Sequence, residues 1–91
     1  MITLEQCEAF AGLAPNEMIV SAKPSSRSDS LLSSYLFSLN RGPEALRDLI
    51  VSDLRASLDI GAEKMAADLL VVLRDYLSEH PEARRRLPEQ P

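Results

Sequence analysis

The 91-residue sequence has few of the residues from which catalytic and metal sites are usually built. It contains one cysteine, one histidine, three glycines and no tryptophan, and aromatic residues make up 4% of the chain. A single cysteine excludes an internal disulfide, and Cys7 alone cannot form a structural zinc site. We therefore interpret Cys7 as a small residue of the core. The three glycines form no phosphate-binding loop, and no paired metal-ligand spacing or nucleophile motif is present.

Long apolar runs and an excess of positive charge are also missing. No stretch approaches the roughly 18 apolar residues of a membrane span, and no signal peptide opens the chain, so we expect a cytoplasmic protein without a membrane partner. The formal net charge of -4 repels a phosphate backbone and makes nucleic acid an unfavoured partner. What the chain does contain is 45% hydrophobic residues, chiefly aliphatic, and this composition favours helices over sheets.

The N-terminal half carries signals for three short helices. Thr3 and Gln6 match a capping box, which predicts a helix of about two turns that ends at Gly12. Pro15 suits the first position of a second helix of similar length. A third helix is predicted to begin at residues 28–30. Its apolar face consists of residues at helical spacing, namely Leu31, Leu32, Tyr35, Leu36 and Leu39.

The C-terminal half predicts two long helices that form an antiparallel hairpin over residues 43–79. The main apolar face of the first consists of residues four apart, namely Leu46, Ile50, Leu54 and Leu58. A second stripe consists of Ala45, Leu49, Ser52 and Ala56. This stripe suggests contact with a second neighbour, which would place the helix inside the bundle. Asp59 is a candidate cap for the next helix, Gly61 supplies a left-handed turn, and Pro81 ends the hairpin after His80.

These elements predict an all-α fold, a compact bundle of four to five helices in which short N-terminal helices cover the long hairpin. We expect one domain over residues 1–80 and a flexible tail over residues 81–91. A chain of this length buries only about 60 to 65% of its unfolded surface, which makes its stability marginal. Pairing with a copy of itself or with another protein would add burial.

Titratable side chains form no catalytic constellation in the sequence. Asp68 and Asp75 fall on the polar face of the last helix and are interpreted as solvated charge. His80 at the helix C-terminus would place its cation at the negative end of the helix dipole. Asp53 lies between the two stripes of the first long helix, and we interpret it as a boundary residue that reaches solvent or an arginine. An enzyme would need a pocket with perturbed groups such as Asp53 or Tyr76. The sequence assigns no catalytic, cofactor-binding or metal-binding residue, and we predict that the protein is not an enzyme.

Residues 3–22 resemble a helix-turn-helix, in which two short helices are joined at a glycine, here Gly12. The resemblance implies a DNA-binding regulator. Glu8 stands where the motif usually has a small residue, and the second segment carries Glu17 and no basic side chain, which repels phosphates. The basic residues that would have to converge into one patch are Lys23, Arg27, Arg84, Arg85 and Arg86.

The predicted helices carry more aliphatic side chains than one facing helix would cover, and this surplus favours protein binding. Phe37 and Val71 are the clearest surplus, and each alone is also compatible with a single exposed apolar side chain. We predict a small interaction or adaptor module that self-associates or binds another protein, with a DNA-binding regulator as the alternative.

Overall fold

The computed structural model describes residues 1–18 and 28–85. In chain order its elements are α1 (Leu4–Ala11), a 3₁₀ turn (Pro15–Met18), α2 (Ser28–Leu36), a 3₁₀ turn (Leu39–Arg41), α3 (Pro43–Asp59), α4 (Glu63–Glu79) and a 3₁₀ turn (Pro81–Ala83). No strand occurs in these two ranges, and the prediction of an all-α bundle built on a long hairpin is confirmed.

Helix α1 begins and ends where its local signals predict. The Thr3 hydroxyl accepts a hydrogen bond from the Gln6 backbone N–H at 3.1 Å, and Gln6 Oε1 accepts one from the Thr3 N–H at 2.9 Å. Both bonds together satisfy two amides that the first turn would otherwise leave unpaired. Gly12 ends the helix at φ 75°, a left-handed conformation that residues with a Cβ adopt with strain.

The second and third predicted helices differ in part from the structure. Of the second, only Pro15–Met18 belongs to the described residues, and it forms a single 3₁₀ turn. The third ends at Leu36, whereas the spacing predicted that it continues to Leu39. The Ser38 N–H donates to the Tyr35 carbonyl and closes a tight turn, so Leu39 lies in a separate 3₁₀ turn. A tight turn ends a helix without interrupting the spacing of its apolar residues.

The antiparallel pair α3 and α4 forms the centre of the fold. Gly61, at φ 74°, lies in the turn that joins them. Asp59 does not cap α4, because the capping position is occupied by Ala62 and shows no side-chain hydrogen bond. The largest fully buried side chains of the pair are Leu46, Ile50, Leu54, Leu69, Val72, Leu73, Tyr76 and Leu77. Helices α1 and α2 both pack on α4 and on the edges of α3. None of the described helices is long and apolar enough to cross a membrane.

The second stripe of α3 faces outward, which corrects the prediction that it contacts a neighbouring helix. Its four residues, Ala45, Leu49, Ser52 and Ala56, are all exposed. The additional contact of α3 lies on another side, where Arg47 and Val51 are buried. The buried Arg47 donates from Nη1 to the Ala83 carbonyl at 3.0 Å. An arginine can lay its apolar stem along the core while its guanidinium bonds to the backbone.

Residues 81–85 pack on the domain, although the sequence predicted a flexible tail from residue 81. Ala83 is fully buried. The Arg84 guanidinium lies over the Phe10 ring, 4.8 Å from its centroid, and the Arg85 N–H donates to the Phe10 carbonyl at 2.8 Å. Pro81 ends α4 as predicted, but the chain then turns back towards α1 instead of leaving the domain.

Candidate interaction surface

The outer face of α3 carries a strip of exposed, uncharged side chains. We call it the α3 strip, and it consists of Ala45, Leu49, Ser52, Ala56 and Ile60, the last of which directly follows the helix. Leu49 is 37% exposed and Ile60 is 81% exposed. Spacings of three and four residues align these side chains on one face. At 1.5 Å per residue the strip is about 22 Å long.

An apolar groove of about 340 Å³ borders the α3 strip on the side of α2 and α4. Its apolar lining comes from three helices and consists of Leu31, Ala56, Ile60, Met65 and Leu69 together with the ring of Tyr35. Met65 is itself exposed. Residues distant in the sequence therefore share one apolar surface with the strip.

Tyr35 and Asp53 are the titratable groups that line this groove, and they are bonded to each other. The Tyr35 hydroxyl donates to Asp53 Oδ2 at 2.5 Å, and Asp53 is half-buried. Burial of the ring, followed by the hydrogen bond to the carboxylate, raises the pKa of Tyr35 above its ordinary value. Tyr35 therefore keeps its proton and acts as a donor. The expected boundary position of Asp53 is confirmed, but its partner is a tyrosine and not an arginine.

A polar groove of about 650 Å³ borders the other side of the strip, between α3 and the end of α1. Its charged lining residues are Arg47, Asp48, Arg55, Asp59 and Arg85. Arg55 binds Glu17 through two bonds, Nε to Oε2 at 2.7 Å and Nη2 to Oε1 at 3.2 Å. The hydrogen bonds from Arg55 hold the pKa of Glu17 below its ordinary value. Arg47 Nη2 lies 2.9 Å from Asp48 Oδ1, so two of the three arginines are paired within the chain.

Comparison with known proteins assigns no role to these surfaces. No protein-family model, no curated protein and no solved structure matches this chain. The chemistry of the α3 strip and its two grooves is therefore what suggests a function.

Of the five basic residues that would have to converge into one patch, two belong to the described part of the chain. Arg84 and Arg85 line a further groove of about 330 Å³ together with Arg47 and Glu44. Three others, Lys23, Arg27 and Arg86, lie outside the described residues. Sequence reasoning missed Arg47, although its helical angle lies between those of Leu54 and Leu58 on the inner side of α3. Its charge was the misleading signal, because a charged residue is usually assigned to solvent.

The helix-turn-helix alternative stays a prediction. Helix α1 and the left-handed Gly12 are present, but residues 19–22 lie outside the described part of the chain. The described start of the second segment is one 3₁₀ turn, and its Glu17 is engaged with Arg55.

Two aspartates of α4, Asp68 and Asp75, are less exposed to solvent than the sequence predicted. Asp68 is buried, and Asp75 is half-buried with Oδ1 3.7 Å from Arg74 Nε. The reason is that α1, α2 and α3 all pack on α4, so little of its polar face remains in water. Cys7, by contrast, is fully buried as expected, and burial raises the pKa of its thiol to about 11.

His80 and the two surplus apolar residues, Phe37 and Val71, lie in different surroundings. His80 follows α4, where its ring stacks on Tyr76 at 4.8 Å and its Nδ1 lies 3.2 Å from the Tyr76 carbonyl oxygen. Phe37 is 89% exposed, whereas Val71 is half-buried. Across residues 1–18 and 28–85, no group of three or more histidine, cysteine or acidic side chains is placed to hold a metal ion.

Proposed function

We propose that the protein is a small interaction module that binds other proteins, and first of all a second copy of itself, through the α3 strip and the apolar groove beside it. The observation that supports this proposal is the continuity of the two surfaces. The strip carries Leu49 and Ile60 in solvent, and Ile60 also forms part of the groove that contains Met65. Contiguous apolar patches on soluble proteins often mark interaction sites.

The position of the strip also suits binding. It lies on α3, whose opposite face contributes Leu46, Ile50 and Leu54 to the core. Side chains on such a helix are held in place before a partner arrives, so binding costs little ordering entropy. A small domain has few other ways to gain apolar burial, because its own core is limited by its length.

Sedimentation velocity tests the proposal over concentrations from about 1 µM to about 500 µM, a range that covers weak dimers. We expect the apparent mass to rise with concentration. Leu49→Glu should abolish this rise, because the interface would have to bury an unpaired carboxylate. Leu4→Glu is a matched control, since Leu4 is 45% exposed on α1 and Leu49 is 37% exposed on α3.

The outcomes separate the two parts of the proposal. Monomer mass at every concentration would contradict self-association. An equal loss of association in both variants would contradict the assignment to the α3 strip. Circular dichroism of both variants should match the parent, because each substitution lies at an exposed position.

A further inference from the structure

We infer that the apolar groove receives a lysine side chain of a partner protein, whose ammonium group bonds to Asp53. This inference rests on the protein binding proposed above and specifies what the partner presents, but it does not depend on self-association. The groove, of about 340 Å³, falls within the size range of ligand clefts, which are mostly apolar and contain a few polar groups. Among the described residues that line it, Asp53 is the one that carries a charge.

The charge of Asp53 is not neutralised within the described part of the chain. Its partner there is the uncharged Tyr35 hydroxyl, which donates to Oδ2. The ion pairs between described residues do not include Asp53, nor do they include Lys64, which directly precedes the groove residue Met65. A half-buried carboxylate among apolar side chains loses part of its hydration, and a cation that bonds to it offsets this loss. The groove therefore favours a ligand with a positive charge.

The bonding of Asp53 favours an ammonium group over a guanidinium group. Its Oδ1 makes no hydrogen bond to any residue of the ranges 1–18 and 28–85, and it is not one of the buried atoms without a partner there, so a ligand can reach it. Arginine binds a carboxylate best through two parallel bonds to both oxygens, but the Tyr35 hydroxyl already occupies Oδ2. The ammonium group of lysine is a compact charge, and one oxygen is enough for it.

The walls of the groove suit the rest of a lysine side chain. Lysine can lay its four-carbon stem along apolar surface, here Leu31 and Met65, while its charged end bonds to a polar group. The groove is continuous with the α3 strip, because Ala56 and Ile60 belong to both. A free amine would fill the groove and leave the strip in water, whereas a lysine within an apolar segment of a protein would cover both. This continuity assigns the lysine to a protein partner.

Peptide titrations followed by NMR test the inference. The probe is acetyl-Ser-Leu-Lys-Leu-Ser-amide, and the control peptide carries norleucine, which is lysine without its ammonium group. The backbone amide signals of the isotope-labelled protein are followed up to about 10 mM peptide, a range that covers millimolar Kd values. We expect the signals of Leu31, Ile60 and Met65 to shift. The lysine peptide should bind about tenfold more tightly than the norleucine peptide, because hydrogen bonds between charged groups are the stronger ones.

Three variants separate the groove from a general attraction of charge. Asp53→Asn should remove the preference for lysine over norleucine, while its amide oxygen can still accept from the Tyr35 hydroxyl. Asp48→Asn is the matched control, since it removes an equal charge from α3 in the polar groove and should keep the preference. Ile60→Ser, at a position that is 81% exposed, should weaken the binding of both peptides alike, because it removes part of the apolar wall and leaves the carboxylate in place.

Each result bears on a different claim. Equal affinity for the two peptides, no binding of either, or the same loss in Asp53→Asn and Asp48→Asn would overturn the inference. Tighter binding of a peptide with arginine in place of lysine would overturn the choice of an ammonium group. Binding of n-butylammonium, the lysine side chain alone, as tightly as the peptide would overturn the assignment to a protein partner.

Sedimentation velocity of the protein without peptide tests the proposed self-association separately. A mass that rises with concentration, without binding of the lysine peptide, defeats the inference and leaves self-association standing. A monomer that binds the lysine peptide defeats self-association and supports the inference. A monomer that binds neither peptide defeats both.

Discussion

Replacing Arg47 with methionine should loosen residues 81–85 and destabilise the domain. Arg47 Nη1 donates to the Ala83 carbonyl oxygen at 3.0 Å in a buried bond, and Ala83 is fully buried. Methionine keeps a long apolar stem against the core, so the substitution removes the donor more than the packing. The affected group is therefore the buried carbonyl of Ala83, which loses its partner.

The expected magnitude follows from that one carbonyl. Leaving a buried acceptor unsatisfied costs about 1 to 3 kcal/mol. The ion pair between Arg47 and Asp48 adds little, because the Asp48 side chain is 67% exposed and such pairs contribute less than about 1 kcal/mol. We expect the free energy of unfolding to fall by about 2 kcal/mol. For a domain of this size the melting temperature should fall by about 10 °C.

Urea unfolding followed by circular dichroism measures the change. Asp48→Asn is the matched control, because it weakens the same ion pair without touching Ala83, and it should change stability by less than about 0.5 kcal/mol. A variant that ends at His80 lacks the acceptor, so Arg47→Met should cost close to nothing in that background. An equal cost in the full chain and in the shortened chain would refute the role assigned to the Ala83 carbonyl.

Three further predictions concern a turn, an ion pair and the thiol. Gly12→Ala should cost about 1 to 3 kcal/mol in urea unfolding, because φ is 75° and a residue with a Cβ adopts this conformation with strain. Gly61→Ala, at φ 74°, should cost a similar amount, since the added Cβ at Gly12 meets chiefly the end of the flexible Arg85 side chain, and no loss of stability at either position would refute the strain. Glu17→Gln should lower stability at neutral pH, because pairing keeps the pKa of Glu17 below its ordinary value. That stabilisation is present above the unfolded pKa of about 4.5 and is lost as the pH falls through the folded pKa, so a constant difference in urea midpoint from neutral pH into acid would contradict it. The buried Cys7, with a pKa of about 11, should react with a thiol reagent at mildly alkaline pH only after unfolding, and rapid reaction of the native protein would disprove its burial.

Helix boundaries in this protein could be predicted from short stretches of sequence. The Thr3 and Gln6 capping box, the left-handed Gly12 and the start of α3 at Pro43 all lie where the residues indicate. Each depends on an interaction between residues a few positions apart, or on the fixed φ of proline. The end of α2 is the exception, since the turn after Leu36 leaves no break in the spacing.

Burial was predicted less well, because it depends on neighbours supplied by distant parts of the chain. Arg47 carries a charge and yet is buried, because residues 81–83 cover it. Asp68 lies on the polar side of α4 and yet is buried, because that helix is enclosed by three others. The sequence contained no residue pattern that distinguished the covering segment from a loose tail.

The candidate interaction surface could likewise be predicted only in part. The sequence spacing identifies the stripe that contains Ala45, Leu49 and Ala56, but it predicted that this stripe contacts a neighbouring helix. The Tyr35 and Asp53 bond joins α2 to α3 across 18 residues, and no spacing rule could have found it. Both features depend on which side of α3 the short helices occupy.

By itself the sequence determined that this chain is helical, where most of its helices begin and end, and that α3 and α4 pair. Local hydrogen bonding, proline geometry and the period of apolar residues suffice for these properties. Only the tertiary structure decided that the α3 strip faces solvent and that residues 81–85 pack on the domain. A helix with two apolar stripes can bury either one, and the choice belongs to the packing of the whole chain.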